Sequence, residues 1–288
     1  MHEDYQERRG VRNRYAAIRP VLERWQRPFS LIDIGANAGG FSRHAMKDFR
    51  RCTAVLVEKE DIPTGLITIN AKLGAHQLHE FGLSEHFDVV LALSVLHHMD
   101  DWKACLEAIW RLGTHVIIEY PTLSDIKARH FDRIVDQYKY LVGLPQQPLG
   151  EFDGYDGGTR NMSLFYRPKS AIYSGAFYGN MKREVPHKHK PHEVVNGYFA
   201  KTIHGRRWIN GINLWSFLQL GGGTPTRQEI AAMLPFQKGH GDIRPWNYIL
   251  NYAGLHLIDP AGPKAYHPDD EKAYAETVYW ILNGGDIS

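Results

Sequence analysis

Asp33, Gly35, Asn37 and Gly39 stand in the run Leu31-Ile-Asp-Ile-Gly-Ala-Asn-Ala-Gly-Gly-Phe-Ser42, and Val55-Leu-Val-Glu58 follows. These types and spacings read as strand, glycine-rich turn, helix start and second strand, which together can hold a nucleoside. The glycines permit a tight turn and close backbone approach. Asn37 tolerates the left-handed conformation better than most residues. Ser42 and the residues after it begin a helix whose free amides face a ligand. Glu58, ending the second strand, is placed to accept hydrogen bonds from two ribose hydroxyls. The interval from Asp33 to Glu58 fits one βαβ unit. An ordinary βαβ turn without a ligand is the bland alternative. A dinucleotide site is disfavoured, because Asn37 occupies the second glycine position of G-x-G-x-x-G.

A second group lies further on. Phe87-Asp-Val-Val-Leu-Ala-Leu-Ser94 opens as a continuous apolar run, as a strand buried on both faces does. It leads to Ser94-Val-Leu-His97-His98 and then to a helix carrying Trp102, Cys105, Leu106 and Ile109. His115 to Pro121 reads as the next strand, with Glu119 near its end. Ligands of open α/β sheets sit beyond the carboxyl ends of the strands, so Gly35, Glu58, His97 and Glu119 are expected on one edge. Helix capping or packing is the competing reading of His97 and His98.

The pattern D-x-G-x-N-x-G-G resembles motif I of class I S-adenosylmethionine-dependent methyltransferases. The resemblance covers roughly residues 30–170 and implies a doubly wound, Rossmann-like α/β fold. It assigns Asp33, Gly35, Asn37 and Gly39 to the methionine side of S-adenosylmethionine and Glu58 to the ribose, and it counts Ser94 among the cofactor-binding residues. The segment with Ser94, His97 and His98 is similar to one lining the methyl-transfer site of that family. His97 or His98 is then the expected base for a hydroxyl or amine acceptor, with Glu119 next. Only one short helix or strand is expected between Glu58 and Phe87, and Glu80 is the weak candidate for the adenine contact.

The distal half has its own signature, Gly239-His-Gly-Asp-Ile-Arg-Pro-Trp-Asn-Tyr-Ile-Leu250, followed by Leu255-His-Leu-Ile-Asp-Pro260. It resembles the catalytic and metal-binding segments of aminoglycoside and choline kinases. That resemblance implies Asp242 as a base, with Asn247 and Asp259 as magnesium ligands beside ATP. Arg207 to Leu218 looks like the hinge and first helix of the same lobe. Only about forty residues separate the boundary near 170 from that hinge, too few for a full nucleotide lobe. No kinase-type glycine loop occurs, and Lys182 and Lys201 lack a convincing strand context. The expected role is a substrate platform, with an active kinase as the alternative. His187, His189 and His192 form a histidine cluster, read first as a basic loop and second as a metal site.

Composition bounds the rest. The chain has 288 residues, 43% hydrophobic and 23% charged, enough for two modest domains. These are placed at 1–170, with an N-terminal helix, and 171–288, a smaller kinase-C-lobe-like α+β module. A net charge of +2 implies no strong nucleic-acid field, although the 16 histidines add charge in mild acid. Cys52 and Cys105 suggest neither disulfide framework nor metal site. With no signal-peptide region or membrane span evident, a cytoplasmic protein is expected. Residues 1–29 are expected as an amphipathic entry helix, 124–142 as a helix, 143–158 as a loop and Met162 to Tyr166 as a last strand. The readings in order are methyl transfer to a small-molecule or saccharide acceptor, a bifunctional enzyme or sugar kinase, and a non-catalytic component of a larger assembly.

Overall fold

The computed structural model describes residues 10–126, 130–154, 157–166, 198–202, 205–238, 240, 242–258 and 269–284. The helices are α1 (Val11–Leu22), α2 (Gly40–Asp48), α3 (Ala75–Ser84), α4 (Trp102–Leu112), α5 (Phe131–Val142), α6 (Leu214–Gln219), α7 (Arg227–Met233) and α8 (Asp270–Asn283). The strands of the first half are β1 (Phe29–Ile34), β2 (Cys52–Glu58), β3 (Ile67–Asn70), β4 (Phe87–Leu93), β5 (Gly113–Pro121), β6 (Gln146–Asp153) and β7 (Thr159–Tyr166). Those of the second are β8 (Tyr198–Thr202), β9 (Gly205–Ile209), β10 (Ile212–Asn213), β11 (Gly222–Thr224), β12 (Tyr248–Asn251) and β13 (Gly254–Leu257).

Eight strands form one sheet in the order β11-β3-β2-β1-β4-β5-β7-β6. The run from β3 to β5 is parallel, and β7, β6 and β11 add antiparallel pairings at its flanks. β1 and β2 are buried along their whole length, as the apolar runs require. Their side chains alternate between two cores. Leu31, Leu56 and Leu91 pack with Ile18 and Leu22 of α1, while Ile32, Val55 and Val90 pack with Leu78 of α3 and Leu106 of α4. Strand order reverses at β1, which has β2 on one side and β4 on the other. A ligand crevice therefore opens beyond the carboxyl ends of β1 and β4.

Several expectations are corrected. Both a strand and a ten-residue helix fit between Glu58 and Phe87, because β3 is only four residues long. The helix expected over 124–142 begins at Phe131; upstream, Asp125 turns inward to the buried Arg160. The segment 143–158 is not all loop. β6 is an edge strand whose register shifts between Pro148 and Gly150, and such a bulge tolerates the proline. The entry helix ends at Leu22, and residues 1–9 lie outside the described part. The last strand starts at Thr159, earlier than Met162.

The distal half joins the first in sheet and core. β11 pairs with β3, while β10, β12 and β13 form a separate three-stranded antiparallel sheet. Ile212, Phe217, Tyr248 and Ile281 belong to the same core cluster as Ile32 and Phe87. Full burial of one such side chain is worth about 1.5–3 kcal/mol. Asn210 Nδ2 donates to the Phe29 carbonyl at 2.6 Å, to the Arg51 carbonyl at 3.3 Å and to Thr53 Oγ1 at 3.0 Å. Buried Glu85 accepts from Ser216 Oγ at 2.6 Å and from the Asn213 amide at 3.3 Å. These ties hold the amino ends of β1, β2 and β4. The boundary expected near 170 lies outside the described residues. Among the described residues no helix is long and apolar enough to cross a membrane.

Candidate functional site

The turn from β1 to α2 is built from left-handed residues. Gly35, Asn37 and Gly39 have φ of 72°, 50° and 74°. A Cβ on Gly35 would fall 2.7 Å from Val95 Cγ2, and one on Gly39 2.6 Å from Leu56 Cδ2. Packing and backbone conformation therefore both demand glycine at these positions. Asn37 pays the left-handed strain and offsets it locally, its Oδ1 accepting the Ala38 amide at 2.7 Å. α2 starts at Gly40 with Gly39 as its cap, two residues before the expected Ser42. Ser42 serves another purpose, donating from Oγ to Asp33 Oδ2 at 2.9 Å.

Two carboxylates face this turn. Glu58 Oε2 accepts the Asn37 amide at 2.7 Å, and Oε1 accepts the amides of Lys59 at 2.8 Å and Glu60 at 3.3 Å. A carboxylate offers about four acceptor positions, so capacity for a hydroxyl remains after these three bonds. Asp33 is buried. Burial pushes its carboxyl up to about 7, the Ser42 hydroxyl pulls it down, and the nearby Glu58 charge adds to the rise. A cationic ligand group would favour its charged form. The donor and acceptor set thus suits a nucleoside carrying a positive charge.

The second wall comes from β4 and β5. Ser94 has φ of 54°, and its amide donates to the Glu119 carbonyl at 3.0 Å. Its hydroxyl donates to Glu119 Oε2, while Glu119 Oε1 takes Arg14 Nε at 2.5 Å. Both Glu119 oxygens therefore have fixed partners, and Glu119 is part of the wall's frame. A short turn, Leu96–His98, follows Ser94, and α4 then carries Trp102, Cys105, Leu106 and Ile109 as expected. His97 is buried and His98 exposed, their ring centroids 4.0 Å apart. α5 holds this turn: Gln137 Nε2 donates to the Leu96 carbonyl at 3.1 Å, and Arg133 Nη1 to the Met99 carbonyl at 2.7 Å. His130 reaches the other side of His98, with centroids 6.2 Å apart.

Asp33, Gly35, Asn37, Gly39, Glu58, Ser94, His97, His98 and Glu119 all belong to the carboxyl ends of β1, β2, β4 and β5 or the turns that follow. Glu80 departs from this. It lies within α3 rather than at a strand end. Asn70, ending β3 and donating to Asp61 Oδ1 at 2.9 Å, stands nearer. Arg14, Arg133 and Gln137 have no motif around them, and sequence reasoning missed all three.

The distal candidates gather elsewhere. His240 is fully buried, with Nε2 3.0 Å from the Ile258 carbonyl oxygen. Asn247 Nδ2 donates to the Asp242 carbonyl at 2.9 Å, and Arg244 Nε lies 3.4 Å from Asp242 Oδ1. Asn213 Nδ2 donates to the Trp246 carbonyl at 2.7 Å, and the Asn213 amide reaches Glu85. Glu85 precedes β4, whereas Ser94 follows it. A seven-residue strand spans roughly 20 Å. Asp242 and Asn247 thus hang from the amino edge of the sheet, opposite Glu58 and His97. Asp259, Lys182, and the cluster of His187, His189 and His192 lie outside the described residues. Among the described residues no group of three or more His, Cys, Asp or Glu could hold a metal ion. Cys52 and Cys105 are free and buried.

Residues 5–146 match a family model described as a methyltransferase domain. The sheet has the Rossmann-like architecture of the methyltransferase fold. No curated protein matches the chain. Among solved structures, the bifunctional kinase-methyltransferase WbdD is 16% identical, covering 96% of this chain and 80% of its own, with a TM-score of 0.43. The N-methyltransferase NodS from Bradyrhizobium japonicum WM9, in complex with S-adenosyl-L-homocysteine, is 12% identical over 55% of this chain and 87% of its own, with a TM-score of 0.41. Magnesium protoporphyrin IX methyltransferase from Synechocystis PCC 6803, with bound S-adenosylmethionine, is 11% identical over 58% and 82%, with a TM-score of 0.42.

Proposed function

We propose that this chain transfers a methyl group from S-adenosylmethionine to a small-molecule or saccharide acceptor at the carboxyl edge of its sheet. The observation that carries this reading is the joint geometry of the left-handed Gly35–Gly39 turn and the Glu58 carboxylate, which accepts the Asn37 amide at 2.7 Å. When bound, S-adenosylmethionine supplies an electrophilic methyl on a sulfonium. The chain's own residues bind, orient and manage protons. Asp33, oriented by Ser42, receives the ammonium of the methionine end. The turn amides and glycines admit the chain of the ligand, and Glu58 accepts a ribose hydroxyl at the position its three amide bonds leave open. Ser94 and Glu119 fix the wall opposite. His98, exposed and with its ring tilted against that of His97, takes the proton of a hydroxyl or amine acceptor. For an acceptor already anionic, the two imidazoles only orient it.

The distal module is read as a platform for the acceptor. An ATP- and magnesium-dependent activity is the second reading. It is favoured by the hydrogen bond from Asn247 Nδ2 to the Asp242 carbonyl, which leaves the amide oxygen as the end available to a cation. Asp242 would then meet the acceptor hydroxyl, with Asn247 and Asp259 toward magnesium. A cytoplasmic setting belongs to the same proposal.

Calorimetric titration separates these readings. S-adenosylhomocysteine or S-adenosylmethionine is expected to bind one site per chain. ATP with magnesium, titrated separately, is expected to give no heat if the distal module is a platform. ATP binding beside the methyl donor would establish the bifunctional reading, and ATP binding alone would overturn the proposal.

A further inference from the structure

Arg14 belongs to no motif, yet α1 inserts it into the frame of the site. It is 9% exposed, with Nε on Glu119 Oε1 at 2.5 Å and Nη2 donating to the Asp153 carbonyl at 2.6 Å. Its guanidinium carbon lies 5.2 Å from the centroid of the Phe152 ring. The bonds reach two different structural arms. Glu119 Oε2 receives the Ser94 hydroxyl, and Ser94, at φ 54°, starts the turn that presents His97 and His98. Asp153 ends β6, and beside it the Gly154 amide donates to the Gly158 carbonyl at 2.6 Å. Both arms lie where β5 and β6–β7 meet the carboxyl edge.

A buried arginine–carboxylate pair is a poor source of stability, since well-packed apolar residues would serve as well. Its fork geometry is a better reason for its presence. Guanidinium donors leave in fixed directions, so one side chain can set the distance between two partners; an ammonium cannot. The rest of α1 is anchored independently. Ile18 and Leu22 are fully buried, and Tyr15 Oη donates to Asp48 at 3.1 Å. Helix α1 is therefore a fixed mount from which Arg14 reaches both arms.

We propose that Arg14 is a positioning residue for methyl transfer: these two donors hold the Ser94–His98 turn, through Glu119, and the end of the β6–β7 strand pair, through Asp153, in one mutual register. The role rests on the methyl-transfer reading of the site. Arg14 bonds to Glu119 and Asp153, whereas Asp33 is held by Ser42 and Glu58 by the amides of Asn37, Lys59 and Glu60, so donor affinity and wall order are separable properties.

The test compares the full chain with Arg14→Lys by residue-resolved hydrogen exchange, histidine ring NMR and S-adenosylhomocysteine calorimetry. In the variant, amides of Ser94–Met99 and of Gly157 and Gly158 are expected to exchange together about tenfold faster or more. The His97 and His98 ring signals shift, while β1 and β2 exchange and ligand affinity stay as in the unaltered chain. Protection of both arms, or loosening of only one, would overturn the proposal. So would a uniform rise reaching β1 and β2, which marks ordinary core packing. If Arg14→Lys does not fold, Arg14→Gln, which keeps a planar donor and leaves Glu119 intact, carries the same readouts. Failure of the unaltered chain to bind S-adenosylhomocysteine overturns the reading beneath the role, and that titration is scored apart from the exchange data.

Discussion

Glu58 Oε2 accepts the backbone amide of Asn37 at 2.7 Å, joining the acid that ends β2 to the tip of the β1–α2 turn. One carboxylate thus shapes the loop and presents itself to the ligand. Its other oxygen is held by the amides of Lys59 and Glu60, so the group is fixed before any ligand arrives. Fixed acceptors bind better because little ordering remains to be done.

Glu58→Ala should weaken S-adenosylhomocysteine binding by about 1–3 kcal/mol, the cost of leaving ligand hydroxyls unpaired. The same change strips the Asn37 amide of its acceptor and lowers the melting temperature. Glu58→Gln keeps an oxygen for one partner and should fall between the two in both measurements. Calorimetry with unaltered affinity in Glu58→Ala would remove Glu58 from the ligand site.

Much of this edge is readable in the chain because its parts are local. The turn needs left-handed residues within five positions, and Gly35, Asn37 and Gly39 supply them at φ of 72°, 50° and 74°. Glu58 follows from strand length alone. The frame is different. Arg14 meets Glu119 across 105 positions, and Gln137 meets the Leu96 carbonyl across 41. No local pattern encodes such pairs. β6 was hidden for another reason: its Pro148 and Gly150 are loop residues by propensity, and the edge position with a bulge accommodates them. Glu80 was misplaced because the short β3 left room for α3, which carries that residue inside a helix.

Asp33 gives the site a pH dependence. Its carboxyl is raised from the usual 3.8 to about 7, chiefly by burial. Below pH ~4 it is neutral in folded and unfolded chains alike. Between about 4 and 7 the unfolded chain gains by ionising while the folded one does not, so stability falls as pH rises through that window. Asp33→Asn should therefore stabilise the ligand-free chain progressively from pH 4 to 7 and then level off. Affinity runs the other way, because a bound ammonium needs the ionised carboxylate. S-adenosylhomocysteine should bind more weakly as pH drops below about 7, by up to tenfold per unit. Chemical denaturation and calorimetry at pH 5, 6, 7 and 8, on an approximate grid set by this window, read both slopes. Parallel slopes in Asp33→Asn and the unaltered chain would assign the dependence to other groups.

Asn210 ties the halves together through Phe29, Arg51 and Thr53. Asn210→Ala leaves these acceptors without that donor in a buried place and should cost about 1–3 kcal/mol. Because Phe217 and Tyr248 share a core with Ile32, unfolding should stay one cooperative transition, shifted to lower denaturant. Far-ultraviolet dichroism and tryptophan fluorescence are expected to coincide in both chains. A first transition that removes tryptophan signal and spares the sheet would show that the halves unfold separately.

Asp242 is tied through Asn247 and Asn213 to Glu85, which precedes β4, whereas Glu58 ends β2 at the opposite edge, and a strand such as β4 is roughly 20 Å long. Asp242 is partly buried in an ion pair with Arg244, which offsets its charge locally. Nothing in the hydrogen-bond network links Asp242 to Asn37 or Asp33 directly among the described residues. Asp242→Ala should therefore leave S-adenosylhomocysteine affinity and the melting-temperature gain on its binding unchanged. Any ATP–magnesium binding should fall in the same variant, because the acid and Asn247 are joined through the Asp242 carbonyl. Methyl-donor affinity that drops with Asp242→Ala in a fully folded chain would mean the edges communicate through the sheet. The connection would then run through Asn213, Glu85 and β4, and Glu85→Gln should reproduce the loss.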